Sequence, residues 1–201
     1  MRELFSVNEA AAIADISPET VRTALEKKSL TPAHNHKAGK AIRYRFSPMD
    51  VLLLKLLAEF PFPLTRQDKR ALWKILVQGK KQASGWSLKS GNLCYGSAKI
   101  QVVVECRHLR AVVAQNLALY RWGRRRIVSS PEVLSGEPVY RGTRIPLSHV
   151  ASLFRKGVPK QEIVEDFPAL SERDLSYARL YSRFEKRPGR PRKHLLIRRF
   201  Q

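Results

Sequence analysis

The stretch "SPETVRTALEKK" places Thr20, Arg22, Thr23 and Lys27 on one side of a short helix, while Val21, Ala24 and Leu25 recur at helical spacing on the other. Two hydroxyls and two cations on an outer face are equipped to read a polyanion. A helix entering the major groove of DNA needs such short polar and basic side chains toward the bases and an apolar face to anchor it. A second basic set, Lys37, Lys40, Arg43 and Arg45, follows within twenty residues and is spaced for contacts to phosphates or a minor groove. Residues for bond-making chemistry are scarcer. His34 and His36 stand two apart, as metal ligands can, but no matched second pair lies nearby, and a polar loop accounts for them. Glu162, Glu165, Asp166, Glu172 and Asp174 form an acidic group that could hold magnesium, yet it reads better as a solvated or partner-facing surface. His108 and His149 fall within helices without a Ser, Cys or Asp partner, and neither a phosphate loop nor a nucleophile elbow occurs. No catalytic residue, metal or cofactor is therefore expected, and the chain is not read as an enzyme.

The charge has a distribution that sorts the chain. Its net charge is +21 over 201 residues. Residues 1–79 carry 13 Lys/Arg against 8 Asp/Glu, residues 80–130 carry 10 against 1, residues 131–185 carry 8 against 8, and residues 186–201 carry 7 against none. Three cationic segments and one balanced module imply two tasks, polyanion binding and something else at 131–185. A hydrophobic content of 43% and this length fit small globular domains. No apolar run is long enough to span a bilayer and "MRELFSVNEAAAIADIS" lacks the pattern of a signal peptide, so a cytoplasmic location without membrane association is expected. Cys94 and Cys106 are too few for a disulfide framework and read as reduced thiols.

The elements that must position the basic residues are well punctuated. Ser6 to Glu9 spells a capping box before an alanine-rich helix broken around Asp15-Ile16-Ser17; Ser17 then caps the helix that carries Thr20 to Lys27, with Pro18 and Glu19 in its first turn. After an Ala38-Gly39-Lys40 turn, "AIRYRF" alternates Ile42, Tyr44 and Phe46 with Arg43 and Arg45 as a half-buried strand. Ser47, Pro48 and Asp50 start a third helix, "VLLLKLLAEF", apolar on nearly every side and so sandwiched between neighbours. Helix, turn, helix, basic hairpin, helix is the order of a winged helix-turn-helix, and this stretch resembles the MerR-like DNA-binding domain, a resemblance that continues through "FPFPLTRQDKRALWKIL".

Between Gly79 and Cys106 the period becomes two. Ile100, Val102 and Val104 share a face, Gly85, Gly91 and Gly96 mark turns, and two or three antiparallel strands are expected. A helix "RHLRAVVAQNLALYRW" follows, with Leu109, Val112, Val113, Leu117 and Tyr120 on one side and Arg107, Arg110 and Arg121 facing out, ending at Gly123 before Arg124-Arg125-Arg126.

In "GEPVYRGTRIPLSHV" the strand scraps Val139-Tyr140 and Thr143-Ile145 flank Arg141-Gly142. Such a hairpin has too few ladder bonds to persist alone. Either a second copy completes it, giving a homodimer through 136–150, or a strand of its own chain does, Ile127-Val128 being the candidate. Three helical stretches follow, the first stopped by Gly157, the second running from Pro159 to before Pro168, the third capped by Ser171 with Asp174 three residues on. Val150, Leu153, Phe154, Ile163, Val164, Phe167, Leu170, Leu175, Ala178, Leu180 and Tyr181 supply their core, which is marginal alone.

Gly136, Pro138, Val139, Gly142, Thr143, Arg144, Ile145, Pro146, Gly157, Glu162-Ile163 and Phe167-Pro168 together resemble an antitoxin-type family, first catalogued as a domain of unknown function and later grouped as VapB-like. The resemblance implies a small dimeric antitoxin that neutralises a PIN-like, metal-dependent ribonuclease toxin and represses its own promoter. On it, Val139, Tyr140, Arg141, Gly142, Thr143, Arg144 and Ile145 are the dimerisation or toxin-binding residues. The tail "EKRPGRPRKHLLIRRFQ" resembles an AT-hook around Gly189-Arg190-Pro191, with Pro188 where the hook has arginine. Its Arg190, Arg192, Arg198 and Arg199 contact DNA, reach an acidic toxin pocket, or remain solvated.

The expected architecture is mainly α with small β elements. Residues 1–79 form the MerR-like winged helix-turn-helix, 80–126 a basic connector with a small antiparallel sheet and a helix, 127–185 the VapB-like unit of short hairpin and three helices, and 186–201 a basic tail. The expected function is a type II antitoxin that binds double-stranded DNA and its toxin; the alternative is a freestanding dimeric transcription regulator or architectural DNA protein without a toxin.

Overall fold

Short polar residues start most of the helices. The Ser6 hydroxyl accepts from the Glu9 N–H while the Glu9 carboxylate accepts from the Ser6 N–H, closing a capping box on α1, Val7–Ala14. Ser17 caps α2, Pro18–Glu26, and boxes of Ser47 with Asp50 and Thr65 with Asp68 open α3, Pro48–Ala58, and α4, Arg66–Leu76. These helices belong to a computed structural model that describes residues 3–30, 32, 34–38, 41–60, 62–96 and 101–185. Between α2 and α3 lies an antiparallel hairpin of β1, His34–Ala38, and β2, Ala41–Arg45. Paired Phe5 and Phe46 backbones, N to O 2.9 Å each way, tie its inner end to the chain start, and both phenyl rings are fully buried.

A meander of β3, Gln82–Ala83, β4, Trp86–Lys89, β5, Asn92–Gly96, and β6, Gln101–Val104, follows in the order β3-β4-β5-β6. It has more strands than the spacing predicts, because β3 adds only two residues. Trp86 and Leu93 turn into the core; Val102 and Val104 share a face of β6, with Val102 at the edge strand 41% exposed and Val104 half-buried, and Ile100 lies outside the described residues.

The next helix, α5, runs unbroken from Arg107 to Arg126. It does not end at Gly123 as the sequence reading expects. Gly123 keeps helical geometry and makes room instead: a Cβ there would lie 2.1 Å from the ring of Tyr177. α5 packs against α1, α3 and the last helix, placing Leu109, Val113, Leu117 and Tyr120 in a core shared with α1 to α4 and the meander. Its other side offers Leu119 and Trp122 to a second core built on Tyr140, Val150, Ile163, Leu175 and Tyr177. The three C-terminal helices, α6 at Leu147–Lys156, α7 at Lys160–Asp166 and α8 at Glu172–Ser182, thus gain the extra apolar surface that a unit of their size lacks. Val164, expected inside, is 39% exposed because α7 has two turns and only Ile163 reaches the core. The chain is mainly α-helical with small antiparallel sheets. Among the described residues no helix is long and apolar enough to cross a membrane.

Candidate nucleic-acid interface

Val21 is fully buried and fixes the roll of α2, which leaves Thr20, Arg22 and Lys27 exposed and Thr23 half-buried. The Thr20 N–H donates to the Ser17 hydroxyl at 3.1 Å, so the helix start is held by its own side chains. Arg22 pairs with Glu19 at 2.8 Å, but both are exposed, and such pairs are worth roughly 0–1 kcal/mol, little against a phosphate competitor. In the hairpin, β2 presents exposed Arg43 and Arg45, and the register sets them opposite His36 and His34. Lys37 sits opposite Ile42, one residue out of phase with those arginines; Phe46 is buried and Tyr44 packs half-buried against the core as the alternation of "AIRYRF" implies, but Ile42 is 51% exposed. Lys40 lies outside the described residues, as do Arg190, Arg192, Arg198 and Arg199 of the tail.

The sequence reading missed the contribution of α4. Its N-terminal half meets the C-terminal end of α2 through Lys69, whose Nζ donates to the Ser29 hydroxyl at 3.4 Å. Thr20, Thr23, Lys27 and Lys69 line one shallow cleft. Ser29 is shared with a larger one, about 720 Å³, walled by Lys28, Arg66, Arg70, Lys74, Pro32 and Trp73. The ion pairs of the described residues draw on other cations: Arg22, Lys55, Arg121, Arg126, Arg155, Lys160 and Arg183. Lys27 and Lys28, just past α2, and Arg66, Lys69, Arg70 and Lys74 of α4 therefore line two adjoining clefts without a carboxylate partner among the described residues. The signal in the sequence is the i, i+4, i+8 spacing of Arg66, Arg70 and Lys74.

The turn between α1 and α2 is braced from the far end of the chain. Asp15 adopts φ +55° and closes α1, and its carboxylate accepts from Arg183, just past α8. That hydrogen bond, more than the neighbouring charges of Arg183 and Lys55, holds the Asp15 pKa below its ordinary value. α5 adds a second brace. The Tyr120 hydroxyl donates to Glu9 at 2.6 Å. Burial opposes ionisation of Glu9, but bonds from Tyr120 and Ser6 and the charge of Arg45 outweigh it and lower its pKa; burial and the Glu9 contact push Tyr120 up to about 12.

The C-terminal hairpin is completed inside its own chain. β7, Ile127–Val128, pairs antiparallel with β8, Val139–Tyr140, and on the other edge of β8 the Tyr140 N–H donates to Ile145 O at 3.2 Å while Val139 bridges Pro146. β8 is thus the middle strand of a small three-strand arrangement, and the missing ladder that suggested pairing with a second copy is supplied by Ile127-Val128. Val139 and Tyr140, expected at a dimer or toxin interface, are 2% and 0% exposed and form part of the core. Arg141, Gly142 and Arg144 remain exposed at the tip, with Thr143 and Ile145 half-buried beneath. The Thr143 hydroxyl donates to Tyr140 O at 2.9 Å and accepts from the Ile145 N–H at 3.1 Å, which folds the tip, and Gly142 takes φ +78°.

Arg126 locks this hairpin to α8. Its Nε donates to Asp174 at 2.8 Å and its Nη1 to Arg141 O at 2.5 Å. Burial raises the cost of ionising Asp174, but Arg126 and the Ser171 N–H and hydroxyl prevail and lower its pKa. Asp174 is hence a structural anion, and Glu172 pairs with Lys160 at 3.2 Å. Among the described residues no three His, Cys, Asp or Glu side chains gather as metal ligands. His149 is exposed with its ring edge-on to Phe167, and Cys94 and Cys106 are buried free thiols.

Comparison with known proteins places one part of this architecture. Residues 127–182, from β7 through α8, match the family described as "Protein of unknown function (DUF433)". A curated protein of Sinorhizobium fredii, "Uncharacterized protein y4eO", is 35% identical over 66 residues, 33% of this chain and 30% of the relative. The chain thus spans under a third of that relative's length. Among solved structures, Rv2018 from Mycobacterium tuberculosis aligns with 87% of this chain and 95% of its own at a TM-score of 0.31 and 14% identity.

Proposed function

We propose that this chain is a double-stranded-DNA-binding antitoxin, in which α1 to α4 work as a MerR-like winged helix-turn-helix and the unit from β7 to α8 grips a PIN-like ribonuclease toxin. The observation that carries the DNA part is the unpaired cationic surface of α4 and the residues just past α2, beside exposed Thr20 and Arg22 and half-buried Thr23. Phosphate contacts from Lys27, Lys69, Arg43 and Arg45 set register, while Thr20, Arg22 and Thr23 meet base edges. The toxin part rests on the hairpin signature of 136–146 within the matched family region. There the Arg141-Gly142-Thr143-Arg144 tip, whose backbone is held from below by Arg126, presents two exposed guanidinium groups suited to carboxylates of a metal-dependent nuclease.

A freestanding regulator without a toxin is the second reading, and closure of the hairpin within one chain favours it, because the tip then needs no partner to be stable. Two assays separate them. Footprinting on the DNA upstream of its own reading frame tests the first claim: the wild type protects a discrete site, and Arg22→Ala or Thr23→Ala loses the site while keeping nonspecific binding. Co-expression with the product of the adjacent reading frame tests the second: co-purification that Arg144→Glu abolishes supports the toxin partner, and DNA protection without any co-purifying neighbour supports the freestanding regulator.

A further inference from the structure

We propose that the cleft between α4 and the segment after α2 is a phosphate-ladder site that seats one nucleic-acid strand alongside the recognition helix. This rests on the DNA-binding reading above and adds to it a strand and a register. Arg66, Arg70 and Lys74 project from one face of α4, and at 1.5 Å rise per residue they are about 6 Å apart along the helix. That repeat is close to the spacing of successive phosphates in a polynucleotide backbone. Lys28 faces them across the opening, and Ser29 and Pro32 close its end. The volume, about 720 Å³, exceeds what a single phosphate fills and suits a short run of backbone.

Two further features favour a polyanion over solvent. All four cations are exposed, and no carboxylate pairs with them among the described residues; the nearest acid on α4, Asp68, is engaged by the Thr65 N–H and hydroxyl and by the Trp86 indole at 2.9 Å. Trp73, half-buried, lines the cleft and offers a ring on which a base can stack.

The test uses the full chain and labelled nucleic acid, a 30-base-pair duplex and a single strand of equal length, in anisotropy titrations between 50 and 200 mM salt. In Arg66→Gln/Arg70→Gln/Lys74→Gln, three exposed changes that leave the core intact, the salt slope on duplex falls by about 2.7, at roughly 0.9 per lost phosphate contact. Over that fourfold salt range the wild type accordingly loses about 40-fold more affinity than the variant. The reduction is the same on specific and random duplexes, unlike the loss in Arg22→Ala. A larger effect on single strand, with quenching of tryptophan emission that disappears in Trp73→Phe, assigns the seated strand as unpaired; an effect confined to duplex assigns it as the flank of the operator. Wild-type binding with an unchanged slope in the triple variant overturns the ladder and leaves the DNA-binding reading standing. A wild type that binds neither probe at 50 mM salt overturns both.

Discussion

Gly123 offers a test in which two rules of stability point in opposite directions. A glycine inside a 20-residue helix is ordinarily a weakness, and alanine there stabilises by about 0.8–1 kcal/mol. Here the added Cβ would stand 2.1, 2.2 and 2.3 Å from Cε2, Cδ2 and Cζ of Tyr177, where carbon pairs prefer about 3.5–4.0 Å. The ring must therefore retreat by more than 1 Å. Tyr177 is 4% exposed, with the rings of Trp122 and Tyr181 centred 6.5 and 6.2 Å away, so retreat means repacking the second core. Overpacking costs about 1–3 kcal/mol, and an approach of 2.1 Å to a buried ring puts this case at about 2–3 kcal/mol, which leaves Gly123→Ala about 1–2 kcal/mol less stable after the helix gain. For a chain of this length that lowers Tm by about 2–8 °C. Urea and thermal unfolding by circular dichroism measure it, and a double-mutant cycle locates the cause: in a Tyr177→Ala background the same change becomes neutral or stabilising. A Gly123→Ala protein as stable as wild type, or more so, refutes the claim that this glycine exists to admit the ring.

Asp174→Ala removes both the Ser171 cap and the partner of Arg126, whose side chain is 26% exposed and so is not left as a buried charge; the loss of the cap and of the charged hydrogen bonds should cost about 2–4 kcal/mol and loosen the hairpin tip toward proteolysis, and stability within about 1 kcal/mol of wild type contradicts the lock. Acid should unfold the chain through the same groups. Glu9, Asp15, Asp68 and Asp174 all have folded pKa values below their ordinary ones, so their stabilisation is present above about pH 4 and drains away as pH falls through the lower folded values. The urea midpoint is accordingly flat from pH 7 to about 5 and drops below about 4, less steeply in Asp174→Asn, whereas a midpoint constant to pH 2 contradicts the assignment. Arg183→Ala frees Asp15 and should weaken DNA affinity without changing which site is protected; unaltered affinity shows that the brace on the α1–α2 turn is dispensable.

The parts of this architecture that could be read from the sequence are those written in local chemistry. Ser6 with Glu9, Ser47 with Asp50, and Ser171 with Asp174 announce helix starts because the cap is made by residues three apart, and Gly157 closes α6 in the left-handed conformation its position implies. What escaped depends on residues distant in the chain. Gly123 looks like a helix stop until Tyr177, 54 positions later, is seen lying against it. The sequence leaves the partner of β8 open between a second copy and Ile127-Val128, since the two differ only in tertiary placement. The cleft of Lys28, Arg70 and Lys74 joins two elements separated by about forty residues, so its parts read singly as ordinary solvated charges. Ile42 departs from the alternation it shares with Tyr44 and Phe46 for a related reason: it lies toward the far end of the hairpin, beyond the core that Tyr44 and Phe46 reach.

Binding of the full-length chain to the duplex upstream of its own reading frame, followed by footprinting at 50 and 200 mM salt, bears most directly on the proposal that α2 reads DNA. The account predicts a discrete protected site in the wild type that Arg22→Ala erases, while nonspecific affinity and its steep fall with salt are kept. Equal protection by wild type and Arg22→Ala, or no duplex binding at 50 mM salt, contradicts it.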